Sequence, residues 1–175
     1  MESDQELIEL INKGDADAFD ALYHRYRDWV YRLAWRFTRN HEDALDVLQE
    51  TFTYLLRKFP NFELTASMTT FLYPVVKHVS FAVKRKSRRL TFDDQALSEM
   101  PAPAEKQTSQ GELAFVLAIL PEEQREVLMM RFVEGMNLKE IAAALEAPLG
   151  TVKSRLYHGL QVLRRDARTR NYFLE

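Results

Sequence analysis

Apolar residues recur at intervals of three and four through the first half of the chain, the period at which side chains share one face of a helix. Phe19, Leu22, Tyr23, Tyr26, Val30, Leu33, Ala34 and Phe37 form one such stripe. Leu45, Leu48, Phe52, Leu55, Leu56 and Phe59 form a second, closed by Pro60, and Met68, Phe71, Leu72, Val75, Val76, Val79 and Val83 form a third. Asn40 separates the first two. Residues 61–67 separate the last two and end on Ser67, a hydroxyl residue suited to cap the third helix. A short amphipathic helix on Leu7, Ile8 and Ile11 stops at Gly14. Stripes of this length must bury one another, so the four segments predict one helical domain. No period-two alternation marks a strand.

The pattern lapses after Arg89. Residues 91–111, TFDDQALSEMPAPAEKQTSQG, combine Pro-Ala-Pro with a polar run and read as a flexible linker. Apolar spacing resumes at Leu113, Val116, Leu117 and Leu120. Pro121 then opens a helix over Val127, Leu128 and Phe132 that Gly135 ends, and two further segments follow over 138–145 and 148–165. The expected fold is therefore all-α: a helical domain over 1–90, a linker over 91–111 and a second small helical domain over 112–175.

A helix of two turns, a break at Pro-Leu-Gly and a longer helix is the outline of a helix-turn-helix. Ile141, Leu145, Val152 and Leu156 would supply its shared core, with Ala142 where the helices approach most closely. Pro148 stops the first helix by disfavouring α geometry at Ala147 and starts the second without losing a hydrogen bond. The second helix then opens with Gly150, Thr151, Lys153, Ser154, Arg155 and His158. Small, hydrogen-bonding and cationic residues are what close approach to a major groove and contact with phosphates require. Arg164, Arg165, Arg168 and Arg170 extend the cationic character. The competing reading is an ordinary loop followed by a solvated face.

Composition narrows the function classes. Apolar residues make up 46% of the chain, enough for packed cores. There is no cysteine, so neither a disulfide framework nor a thiolate zinc site is available, and the chain suits a reducing cytoplasm. No apolar run is long enough to cross a membrane, and the acidic start MESDQELIEL is unlike a secretory leader. The formal net charge is −2, so any case for nucleic acid rests on local patches rather than on the whole. His24, His41, His78 and His158 are dispersed, and no metalloprotease, phosphate-loop or nucleophile-elbow motif occurs. Catalysis, a metal site, a cofactor and a small-molecule substrate are not expected.

The segment LPEEQREVLMMRFVEGMNLKEIAAALEAPLGTVKSRLYHGLQVLRR, residues 120–165, closely resembles region 4 of bacterial extracytoplasmic-function (ECF) sigma factors. AFDALYHRYRDWVYRLA at 18–34, EDALDVLQETF at 42–52 and TTFLYPVVKHVSFAVKRKSRR at 69–89 resemble their region 2. The resemblance covers about 150 residues, in the family's order, with the linker where that architecture places it.

The resemblance implies a promoter-specificity subunit that binds RNA polymerase core, at the β′ clamp helices and the β flap, and reads promoter DNA. An anti-sigma factor is a further implied partner; insertion into a membrane is not. EDALDVLQETF is similar to the segment that docks on the clamp helices, and a helical wheel places Asp43, Asp46, Glu50 and Thr53 on one face, opposite Leu45, Leu48 and Phe52, with Gln49 beside them. The third helix of region 2 is similar to the reader of the −10 element, where an extruded base is captured between the preceding loop and the helix. That implies roles for Phe62, Tyr73 and His78, with backbone contacts from Lys77, Lys84, Arg85 and Arg88. Phe71 and Tyr73 differ in this reading: Phe71 falls on the apolar face, while Tyr73 and Phe81 fall off it. The chain departs from the family pattern at Phe71, where Trp is usual, and at His78, where Asn is common. It departs again at Pro74, which should kink the helix or start a new turn. Region 4 implies −35 recognition, with Lys153, Ser154 and His158 at base edges, Thr151, Arg155 and Lys139 at phosphates, and Gly150 allowing close approach. A free linker of 21 residues spans only about 25 Å root-mean-square, so polymerase would hold the two readers apart. The alternative is a stand-alone helix-turn-helix regulator that acts without polymerase.

Overall fold

The computed structural model of the protein describes residues 2–94, with side chains as far as Ser87, and residues 117–166. Among the described residues there are seven helices and no strand: α1 (Asp4–Asn12), α2 (Ala16–Thr38), α3 (His41–Leu56), α4 (Met68–Asp94), α5 (Glu122–Phe132), α6 (Leu138–Ala144) and α7 (Leu149–Arg165). The chain divides into two compact units, Met1–Ser98 and Glu99–Glu175. The backbone of α4 runs to Asp94 and so takes in the first four residues, 91–94, of the expected linker. Residues 95–111 of that linker, together with Leu113, Val116, Arg168 and Arg170, lie outside the described residues.

In the first unit α2, α3 and α4 pack on one another, and α1 lies on α2. A capping box starts α1: the Glu6 N–H donates to Ser3 Oγ (3.3 Å), and the Ser3 N–H donates to Glu6 Oε2 (2.7 Å). The backbone bond from Ser3, then its side-chain bond, hold the Glu6 carboxyl below its ordinary pKa. Leu7, Ile8 and Ile11 are buried. Asp4 fixes the helix from its other side. Arg25 Nη1 donates to one carboxylate oxygen at 2.6 Å and the Tyr26 hydroxyl donates to the other. Burial, then that bond, push the Tyr26 hydroxyl pKa up. Asp4→Ala would leave a guanidinium and a phenol half-buried without their acceptor. It should lower the stability of the first unit by about 1–3 kcal/mol, measured by urea unfolding; an unchanged midpoint would reject the clasp.

Asn40 caps α3, its Oδ1 accepting from the Asp43 N–H at 3.0 Å. Ser67 caps α4 as its hydroxyl predicts, accepting from the Thr70 N–H at 3.3 Å. Pro74, expected to kink the helix or start a new turn, lies inside α4, which is continuous through it. Pro74 is exposed while Leu72, Tyr73 and Val76 are buried, so packing on both sides of the ring holds the axis that the missing N–H weakens. The side of α3 that faces the core also differs from expectation. Ala44, Val47, Thr51, Phe52 and Leu55 are buried, whereas Leu45 and Leu56 are 43% and 51% exposed.

In the second unit Arg125 gathers the segment ahead of α5, donating to the carbonyls of Leu117 (3.0 Å), Ala118 (3.2 Å) and Leu120 (2.8 Å). A capping box between Asn137 and Glu140 starts α6. The turn that follows is closed by the Ala147 N–H on the Ala142 carbonyl at 3.0 Å, with Glu146 in the left-handed region (φ 49°). Pro121 and Pro148 stand one residue before their helices, at the N-caps. Ile141 and Val152 are fully buried, as the helix-turn-helix core requires, and Leu145 and Leu156 are half-buried. Ala142 is half-buried and Ala144 buried on α6, and Gly159 stands at a close contact on α7. A Cβ on Gly159 would stand 2.6 Å from Leu128 Cδ1, so glycine there lets α7 settle onto α5.

Candidate polymerase and nucleic-acid interfaces

Four of the five α3 residues predicted to face a partner share one surface. Asp46, Gln49, Glu50 and Thr53 are exposed and line a groove of about 500 Å³ with Tyr54 and Arg57 of the same chain segment and Val79 and Lys86 of α4. Asp43 is placed differently. It is half-buried, and its Oδ1 accepts from Ser87 Oγ at 2.7 Å, which ties α3 to α4. Thr53 returns its hydroxyl to the Gln49 carbonyl at 2.8 Å and so presents mainly its methyl group. Beside this groove, Leu45, Leu48 and Leu56 line an open apolar hollow with Phe19, Tyr23 and Phe52, and Gln49 and Thr53 border both. Sequence reasoning assigned those leucines to the core. A second stripe, Ala44, Val47, Thr51 and Leu55, has the same spacing, and its small residues hid it.

On α4 the predicted site residues separate into buried and exposed sets. Tyr73 is 1% exposed, its ring edge-on to Phe37 at 6.2 Å, which corrects its placement off the apolar face. Phe62 is 8% exposed and lies between Phe59 and Phe71, with ring centroids at 5.4 and 4.9 Å. Both rings are committed to the core, so in this arrangement neither offers a face to a base. Lys84 donates to the Phe37 carbonyl at 3.0 Å, and Lys77 is half-buried. His78 and Arg85 are exposed, and Arg88 lies outside the residues whose side chains are described. Phe81, 50% exposed and three residues from His78, completes a stripe His78–Phe81–Arg85 at helical spacing. Phe81 was legible as lying off the apolar face.

On α7 the exposed face carries Gly150, Lys153, Ser154 and His158, with Thr151 half-buried beside them and Lys139 exposed on α6. Tyr157, 60% exposed, stands in the same face with its ring 5.5 Å from that of His158; it was not among the residues singled out. Arg155 points elsewhere, pairing with Glu123 of α5 at 2.6 Å between Nη2 and Oε2. Its charge orients α7 on α5 before it can serve a phosphate.

A groove that presents Asp46 and Glu50 beside Arg57 and Lys86 on one helical unit, and a helix-turn-helix with exposed Lys139, Lys153 and His158 on the other, suit a transcription protein with a DNA face and a polar face for a second partner. Comparison with known proteins gives the family. The Sigma-70 region 2 model matches residues 22–90, and the Sigma-70 region 4 model matches residues 116–165. The chain is 27% identical over 177 residues to the ECF RNA polymerase sigma factor SigW of Bacillus subtilis, covering 92% of this chain and 95% of that one. It is 29% identical over 178 residues to the RNA polymerase sigma-H factor of Pseudomonas aeruginosa, covering 93% and 92%. Two solved structures share its fold. CnrH in complex with the cytosolic domain of CnrY has a TM-score of 0.66 at 21% identity, over 91% of this chain and 94% of that one. The sigma factor RpoE of Bartonella quintana, in complex with the anti-sigma factor NepR, has a TM-score of 0.61 at 21% identity, over 83% and 94%. The chain belongs to the ECF family of RNA polymerase sigma factors.

Proposed function

We propose that this sigma factor docks on polymerase core through the face of α3 that presents Asp46 and Glu50, reads the −10 element with the loop before α4 and the exposed stripe of α4, and reads the −35 element with α7. The observation that carries this is the pairing of the two family matches, in chain order, with the two helical units. Asp46 and Glu50 suit a basic partner helix. Lys153, Ser154 and His158 suit base edges, and Lys139 with the α7 N-terminus suits phosphates. His78, Phe81 and Arg85 supply a hydrogen-bonding ring, a stacking face and a cation for an unpaired strand. The protein performs no covalent chemistry and acts in the cytoplasm, where core polymerase binds it. One structural neighbour is a sigma factor in complex with an anti-sigma factor, and a partner of that kind suits this chain as well. The stand-alone regulator reading has no support in relatives that match along both units.

Transcription from a pre-melted bubble template tests the proposal. Core with this protein should select one start site, and core alone should not. Equal selection by core alone, or tight duplex binding by the free protein, would reject it. His78 gives a finer test. His78→Ala should weaken capture of single-stranded −10 DNA about tenfold, the loss of one stacking and hydrogen-bonding ring, with core affinity unchanged. Equal losses in both assays would make His78 a structural residue.

A further inference from the structure

The loop between α3 and α4 is held from fifty residues away. The side chain of Asn12, the last residue of α1, forms both hydrogen bonds that the backbone of Phe62 can make. Asn12 Nδ2 donates to the Phe62 carbonyl at 2.9 Å, and the Phe62 N–H donates to Asn12 Oδ1 at 3.0 Å. The loop is otherwise irregular at this point. Asn61 occupies the left-handed region with φ 77°, and Phe62 anchors the loop by one buried ring. Beyond it Glu63, Thr65 and Ala66 are exposed just ahead of the N-terminus of α4. The support for the clamp is itself rigid, since α1 buries Leu7, Ile8 and Ile11 and is pinned through Asp4 to Arg25.

We propose that Asn12 is a positioning residue for base selection: its side-chain amide fixes the Phe62 peptide, and thereby sets where the exposed end of the loop meets an unpaired base. This rests on the reading of the loop and α4 as the −10 reader. Without the clamp a buried N–H and C=O lose their partners, and the loop regains peptide conformations that the single ring of Phe62 does not exclude. Among the described residues the hydrogen bonds of the Asn12 side chain go to Phe62, so the α3 groove and the helix-turn-helix should not respond.

The probe is a bubble template whose unpaired non-template segment is randomised, with the upstream duplex randomised in a second library. Holoenzyme made with wild-type protein, Asn12→Ala or Asn12→Asp is used to select from both libraries. Asp keeps the size of Asn but sets a carboxylate oxygen against the Phe62 carbonyl, so it separates hydrogen bonding from volume. Wild type should enrich particular bases in the unpaired segment, and both variants should lose about tenfold of that preference, the scale of lost buried hydrogen bonds. Duplex preference and core affinity should hold. Variants with wild-type base preference would overturn the proposal. So would parallel losses of base preference, duplex preference and core affinity, which would mean a general structural role. A wild type that prefers no base in the segment would overturn the −10 reading itself, and the proposal with it.

Discussion

Replacing Asp46 and Glu50 together by lysine should lower the affinity of this protein for RNA polymerase core at least about a hundredfold, while its helix content stays as it is. Both carboxylates are exposed on α3 and line the groove that runs toward Lys86. Neither contributes to the buried side of the helix, which is made by Ala44, Val47, Thr51, Phe52 and Leu55, so the fold should not register the change. A basic partner would feel it strongly. Like charges brought together at an interface cost several kcal/mol, and a hundredfold loss corresponds to about 2.7 kcal/mol. The measurement is a titration of labelled protein with core at two salt concentrations, beside circular dichroism of the free protein. Unchanged core affinity would reject the α3 groove as the docking face. Weakened binding with lost ellipticity would move the two residues into the structural class. Asp43 is left out of the pair because its bond to Ser87 gives it a role between helices.

Ile141→Ala should unfold the helix-turn-helix unit and leave the first unit standing. Ile141 is fully buried, at the point where α6 meets the rest of its unit. Shortening a buried isoleucine to alanine costs about 2–5 kcal/mol, part transfer and part cavity. Domains as small as this one bury a modest share of their surface and hold only a narrow margin of stability. The substitution should therefore remove most of that margin. Thermal unfolding followed by circular dichroism should show part of the helical signal melting well below the rest, and binding to −35 duplex in the holoenzyme should be lost. Core binding through α3 should persist, because the two units have separate cores. A single unshifted transition would show that the unit does not depend on this side chain.

Much of this was readable along the chain. The 3.6-residue period located the helices but not their ends, because burial on one face of a helix imposes that spacing whatever the neighbours are, while α3 starts four residues before its apolar stripe and α4 runs on to Asp94. Caps were readable for the same local reason: Ser67 must meet the orphan N–H groups of the first turn, and Pro148 cannot continue the helix before it. Faces were less readable where two stripes compete. Along α3, Leu45, Leu48 and Leu56 are larger and more apolar than Ala44, Val47 and Thr51, and sequence reasoning followed size. The structure buries Ala44, Val47 and Thr51 together with Phe52 and Leu55 against α2 and α4, and it leaves Leu45 and Leu56 exposed beside the groove that holds Asp46 and Glu50. Tyr73 shows the opposite error, since a phenol can reside in a core when its ring has an aromatic neighbour such as Phe37.

By itself the sequence determined the order of the described helices, the two-unit plan, the helix-turn-helix and the resemblance that led to the sigma factor family. These follow from local periodicity, turn chemistry and motif, which act over a few neighbouring residues. Tertiary structure alone decided which charges are presented and which are spent internally. Asp43 is tied to Ser87, Lys84 to the Phe37 carbonyl and Arg155 to Glu123, whereas Asp46, Glu50, Lys153 and His78 are left exposed. It also decided that Asn12 holds the loop at Phe62. Such pairings join residues far apart in the chain. They are set by how whole helices pack, and the local pattern around each residue carries no trace of them.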